Sequence, residues 1–192
     1  MDVIRNDIEE RVVMRLTVYC GASRGIDLVY GEAAEKVGAW MASSGIQLVF
    51  GGGRIGLMGI LADAVLAGGG QATGVIPRFL ADREAAHSGL TALITVETMA
   101  ERKAKMLALG DAYLALPGGP GTLEEISEAF SARRLGLHKK PCLIYNVSGC
   151  YDGLETCFDN MEKNGFLSSR DRGVIHFCRS IEDIGRQLSL RK

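Results

Sequence analysis

Seven short apolar runs recur along this chain, and their alternation with helix-patterned stretches constrains the fold more than any other feature. The runs are Met14 to Cys20, Ile46 to Phe50, Ala72 to Ile76, Ala92 to Val96, Ala112 to Leu116, Cys142 to Asn146 and Gly173 to Phe177. Segments with helical spacing lie at Asp27 to Ser44, Leu57 to Ala67, Met99 to Leu109, Thr122 to Leu135 and Tyr151 to Lys163, with a last one from Ile181. Pro77 to Gly89 reads instead as a charged loop. Runs that are apolar on both faces need cover on both faces, and a parallel sheet built from β-α units supplies it. The pattern predicts an α/β fold, a single doubly wound domain with a mostly parallel sheet flanked by helices on both faces. It spans residues 14–192 after an arm at residues 1–13, and no repeat, low-complexity tract or linker divides it.

Composition removes several settings. A chain of 192 residues can enclose a full hydrophobic core in one domain. Its net charge of −1 provides no basic field for nucleic acid or an anionic membrane. No apolar run approaches the ~20 residues of a membrane span. The first 15 residues carry Asp2, Arg5, Asp7, Glu9, Glu10 and Arg11 without the apolar centre of a signal peptide. Cys20, Cys142, Cys150, Cys157 and Cys178 form an odd set without CxxC spacing, which predicts reduced thiols and a cytoplasmic setting. His87, His138 and His176 lie far apart, so no metal site is expected. His138 reads as a turn or interface residue, and Trp40, at helical spacing with Val37 and Ala33, as core.

Ligands of a doubly wound sheet bind outside the carboxyl ends of its strands. Three glycine-bearing loops fall there: Cys20-Gly21-Ala22-Ser23, the stretch from Gly51 to Gly56, and the stretch from Pro117. The middle loop matches GxGxxG through Gly51, Gly53 and Gly56. The strand after it ends without the acid a dinucleotide's ribose requires, and Asp63 comes too early and within a helix. GxxxxGK[ST] is absent as well, which excludes a standard P-loop. Any one of these loops could be only a tight turn. Three at one edge point to a Rossmann-like cradle for a mononucleotide or another phosphate ester.

The third loop carries the most chemistry. Pro117-Gly118-Gly119-Pro120-Gly121-Thr122-Leu123-Glu124-Glu125 follows a strand and opens a helix. Its glycines let backbone approach a ligand, and a helix N-terminus offers N–H groups to an anion. Glu124 and Glu125 then stand beside that pocket in the expected first turn.

Those nine residues match PGGxGTxxE. Gly51-Gly52-Gly53 with Gly56-Leu57-Met58-Gly59 matches GGGxxGLMG, Met99-Ala100-Glu101-Arg102-Lys103 matches MxxRK, and Leu135 to Pro141 matches LGxHxKP. In this order, from about Cys20 to Phe166, the chain resembles the LOG family, cytokinin riboside 5′-monophosphate phosphoribohydrolases formerly labelled lysine decarboxylases. The resemblance implies hydrolysis of the N-glycosidic bond of a nucleoside 5′-monophosphate to free base and ribose 5-phosphate. It implies Glu125 and Arg102 as catalytic residues, the carboxylate working near the anomeric carbon and the arginine toward the leaving base. Substrate contacts carried over are Arg102, Lys103, Gly118, Gly119, Pro120, Gly121, Thr122, Leu123 and Glu124, with Glu84 and Ser131 from a looser alignment. It further implies a small nucleotide as partner, a homodimer with active sites at the interface, and no cofactor.

Simpler roles compete at each position. Glu124 and Glu125 could serve only the helix dipole. Arg102, Lys103 and Lys105 could be a solvated helix face, and the apolar positions Leu123, Ile126 and Phe130 either core or dimer seam. At the level of function, an AMP nucleosidase and a non-catalytic nucleotide carrier of the same fold are the alternatives. A pyridoxal-phosphate lysine decarboxylase is rejected, because no lysine stands in a plausible cofactor pocket.

Overall fold

The computed structural model describes residues 13–81 and 85–189. Strand and helix alternate as β1 (Arg15–Tyr19), α1 (Leu28–Ser43), β2 (Gln47–Phe50), α2 (Gly56–Ala67), β3 (Ala72–Pro77), α3 (Arg78–Ala81), β4 (Ala92–Val96), α4 (Met99–Leu109), β5 (Ala112–Ala115), α5 (Pro120–Arg134), β6 (Cys142–Tyr145), α6 (Asp152–Lys163), α7 (Ser169–Arg172), β7 (Ile175–Cys178) and α8 (Ile181–Gln187). The strands form one sheet in the order β4-β3-β2-β1-β5-β6-β7. Every pair in it is parallel, and among the described residues an isolated antiparallel bridge outside the strands joins Gly53 to Ala86. The chain winds outward from β1 to β4, returns to β5 and winds the other way. The switch in direction opens a crevice between β1 and β5, where Tyr19 stands level with Ala115.

Period-two alternation in β1 divides the core into two layers. Leu16, Val18 and Cys20 pack with Val37 and Met41 of α1, Leu61 and Val65 of α2, and Ile184 of α8. Trp40 is partly buried against the same layer, as expected. Tyr19 faces the opposite layer with Met106 of α4, Ile126 and Phe130 of α5, and Phe158 of α6. Ile126 and Phe130 are therefore core, and Leu123 packs partly buried beside them. Among the described residues, no helix is long and apolar enough to cross a membrane.

The structure departs from the expected boundaries in a few places. Helix α5 begins at Pro120 rather than Thr122, because proline fits the first helical position, where its missing N–H costs nothing. Glu124 and Glu125 consequently sit in the second turn. The short helices α3 and α7, and a 3-10 turn at Val147–Gly149, span four residues or fewer, too short to show a helical period. Of the proposed arm, residues 1–12 lie outside the described residues, as do residues 82–84 of the charged loop and with them Glu84.

The glycine loops are bonded to one another at the crevice. Gly21 N–H donates to the Pro117 carbonyl at 3.1 Å, and Leu57 N–H donates to the Gly21 carbonyl at 3.0 Å. Gly56 makes the second contact feasible. Its φ is +66°, and a methyl group there would overlap the main chain of Ala22 and Ser23. Backbone cannot swing aside as a side chain can. Gly56→Ala is expected to cost about 3 kcal/mol, combining left-handed strain with the overlap. For a chain of this size, that lowers Tm by roughly 6–12 °C; an unchanged melting curve by calorimetry would contradict the locked-loop account.

Candidate active site

Helix α5 has no side-chain cap at Gly119, and its first turn opens on the crevice. A cavity of about 290 Å³ lies there. Of the residues singled out in the sequence, Arg102, Gly119, Pro120, Gly121, Thr122, Glu124 and Glu125 line it. Tyr19, Cys20, Gly51, Met58, Leu80, Met99 and Met106 are also part of the wall. Added methyl groups at Gly119 and Gly121 would meet nothing within 4 Å, so main chain is presented directly at the helix end. Unpaired N–H groups and the positive end of the dipole suit an anion there. Thr122, by contrast, is buried, and Gly118 leaves the space it fills.

Arg102 is 5% exposed, an unusual state for a guanidinium. It is held by main chain. Nε donates to the Val75 carbonyl within β3 at 3.1 Å and Nη2 to the Gly51 carbonyl just past β2 at 2.9 Å. This fixes the cation at one wall of the cavity, with the Glu125 carboxylate lining another. Both charges act on the thiol of Cys20. Burial, the largest cause, pushes that thiol well above its ordinary value; Glu125 adds to the rise and Arg102 opposes it. An inert thiol between a carboxylate and a guanidinium is part of the wall of the site.

Lys103 does not line this cavity. Its Nζ bonds to Glu124 Oε1 at 2.6 Å and Glu128 Oε2 at 2.9 Å, which joins α4 to α5. The bonds with Glu124, then Glu128, raise the lysine above its ordinary value. Gly118 lines a neighbouring cavity of about 420 Å³ across the loop, together with Tyr30 and Tyr151. Tyr151 supports the loop from below, its hydroxyl donating to the Leu116 carbonyl at 2.8 Å. Leu123 packs into the α5 layer, and Ser131 lies exposed near the far end of α5, outside the cavity. Sequence reasoning missed Tyr19, although its place at the last position of β1 was the available signal.

Among the described residues, no group of three or more His, Cys, Asp or Glu side chains could hold a metal ion. His138 closes the turn between α5 and β6. Nε2–H donates to the Ala129 carbonyl at 3.0 Å, while Nδ1 accepts from Lys140 N–H at 3.2 Å, a pairing only the neutral ring satisfies. Burial, followed by the charges of Lys140 and Arg133, lowers its pKa, and the Ala129 bond opposes this in part. Burial lowers His176 too. A depressed folded-state pKa means the unfolded chain takes up protons first. Stability is thus full above the ordinary imidazole value of about 6.5 and is lost as pH falls through the folded-state value. The urea midpoint is expected to drop between pH 7.5 and 5.5, with a shallower drop in His138→Gln. A midpoint that rises on acidification would refute this.

A family model described as possible lysine decarboxylase matches residues 58–188. The chain is 46% identical over 168 residues to a cytokinin riboside 5′-monophosphate phosphoribohydrolase of Rhodococcoides fascians, covering 87% of this chain and 85% of the relative. It is 44% identical over 161 residues to an Arabidopsis thaliana enzyme of the same name, covering 84% and 76%. Among solved structures, it is similar to the molybdenum cofactor carrier protein of Chlamydomonas reinhardtii, with a TM-score of 0.69 at 18% identity over 92% of this chain and 99% of that one. The molybdenum cofactor binding protein of Rippkaea orientalis gives 0.70 at 18% identity, covering 92% and 96%. At that identity the likeness is one of fold alone. Identity above 40% across most of its length and the family match over residues 58–188 lead to one conclusion: this chain belongs to the LOG family of cytokinin riboside 5′-monophosphate phosphoribohydrolases.

Proposed function

We propose that this protein hydrolyses the N-glycosidic bond of a cytokinin nucleoside 5′-monophosphate, releasing the free base and ribose 5-phosphate. The reading is supported by one observation above the others: a buried arginine, a glutamate and an uncapped helix N-terminus line the same cavity. The start of α5 takes the 5′-phosphate by the Gly119 and Gly121 N–H groups and the helix dipole, the Thr122 N–H being already bonded to the Gly119 carbonyl at 3.1 Å. That anchor sets the ribose over Glu125. As the bond breaks, positive charge grows at the anomeric carbon, and the carboxylate stabilises it or activates the attacking water. Arg102, held rigid by two carbonyls, meets the base as it departs and accumulates negative charge. Lys103 acts by pinning α4 to α5, so that Arg102 and Glu125 keep their spacing.

We take the working unit to be a cytoplasmic homodimer. Leu135 and Leu137, 77% and 75% exposed beyond the end of α5, are the apolar residues such a contact would cover. Equilibrium sedimentation of the purified protein tests this part. The activity is tested by incubating the protein with isopentenyladenosine 5′-monophosphate and with AMP, then separating free base by chromatography. Release of isopentenyladenine supports the reading, faster release of adenine makes the protein an AMP nucleosidase, and binding without release makes it a carrier.

A further inference from the structure

Three tyrosines sit on the central strands or against the loop between them, and the hydroxyls of two of them are hydrogen-bonded to main chain. Tyr113 donates its hydroxyl to the Leu107 carbonyl at 2.6 Å, and Tyr151 donates to the Leu116 carbonyl at 2.8 Å. Tyr19 differs. It is 3% exposed, and among the described residues no hydrogen bond to its hydroxyl is formed. Every fully enclosed side-chain nitrogen or oxygen among the described residues does have a partner. The Tyr19 hydroxyl is therefore not fully enclosed, and the residue lines the active-site cavity. Its ring stacks on Tyr113, with centroids 6.4 Å apart and planes 12° apart, so the hydroxyl has a fixed direction. Glu125 is near enough for its charge to hold the phenol protonated, after burial itself.

A buried donor that the protein leaves to the cavity is costly unless a ligand completes it. Resting on the nucleotide reading above, we propose that the Tyr19 hydroxyl donates to a hydroxyl of the substrate's pentose, on the same side of the cavity as Glu125. The contact makes Tyr19 a specificity-determining residue for ribonucleotides over their deoxy counterparts. It follows from position: the residue ends β1 at the switch point, beneath the helix that carries Glu125, where a 5′-phosphate on the α5 terminus brings the sugar rather than the base.

Tyr19→Phe keeps the ring and its stacking and removes only the donor. Two readouts separate contact from scaffold. The first is kcat/KM for isopentenyladenosine 5′-monophosphate and its 2′-deoxy and 3′-deoxy counterparts with wild type and variant. The second is calorimetric affinity for the same three nucleotides, which needs no turnover. Tyr19→Phe is expected to weaken the ribonucleotide by about three- to ten-fold and to leave one of the two deoxy nucleotides unchanged. Equal loss on all three, or no loss on any, overturns the proposal. If wild type binds but cleaves none of them, the hydrolase reading fails while the affinity comparison still decides Tyr19. If wild type binds none, both fall.

Discussion

Glu125→Gln is expected to reduce free-base release by about 1,000-fold while changing nucleotide affinity by less than about threefold. The substitution preserves shape and hydrogen-bonding length and removes one negative charge. That charge matters little to the ground state, in which the sugar is neutral. It matters in the transition state, where the anomeric centre becomes cationic, and interactions present only there appear in kcat. The site is built to make the difference large, since Glu125 shares a 290 Å³ cavity with a buried guanidinium and a buried thiol. Glu124, one residue earlier, is tied to α4 through Lys103, whose Nζ lies 2.6 Å from its Oε1. Glu124→Gln should cost less in kcat, acting through the α4–α5 spacing. Single-turnover assays paired with calorimetry on both variants test this. Residual turnover within tenfold of wild type in Glu125→Gln would remove that residue from the chemistry.

The sheet was legible because local pattern and tertiary role agree in it. Each of the seven apolar runs became a strand, and each glycine loop landed at the carboxyl edge the topology requires. The candidate site was legible in part, through residues whose neighbours in sequence are also neighbours in space. The turn from Pro117 to Thr122 and Glu125 is one such unit. The rest depends on contacts between distant positions, which leave no period to read. Arg102 meets Val75 and Gly51, 27 and 51 residues away, and Tyr151 meets Leu116 across 35. Lys103, a substrate contact by what the family resemblance implies, has another partner whose position no local pattern announces. On a helix, adjacent residues point about 100° apart, and that rotation turns its ammonium to Glu124 and Glu128 instead. Ser131 stands three turns along α5 from Pro120, which carries it away from the cavity.

Gly51→Ala is expected to abolish activity nearly as completely as Arg102→Ala, by about 100-fold or more in kcat/KM, while leaving the fold intact. A methyl group at position 51 would fall on the Arg102 Nη2 atom, with Met58 Sδ at 3.0 Å and Arg102 Cζ at 3.1 Å. What gives way decides the outcome. At Gly56 the obstacle is main chain, so the structure must strain. At Gly51 it is the far end of a flexible side chain, so the guanidinium swings away and the backbone stays. Moving it breaks the bonds to Gly51 and Val75 that fix the cation in the cavity. The loss then falls on catalysis rather than on stability, with Tm lowered by only a few degrees. Because both substitutions remove the same thing, their effects should not add: Gly51→Ala with Arg102→Ala should be no slower than Arg102→Ala alone. Full additivity in that cycle would mean that Gly51 serves the site in some way other than making room for Arg102.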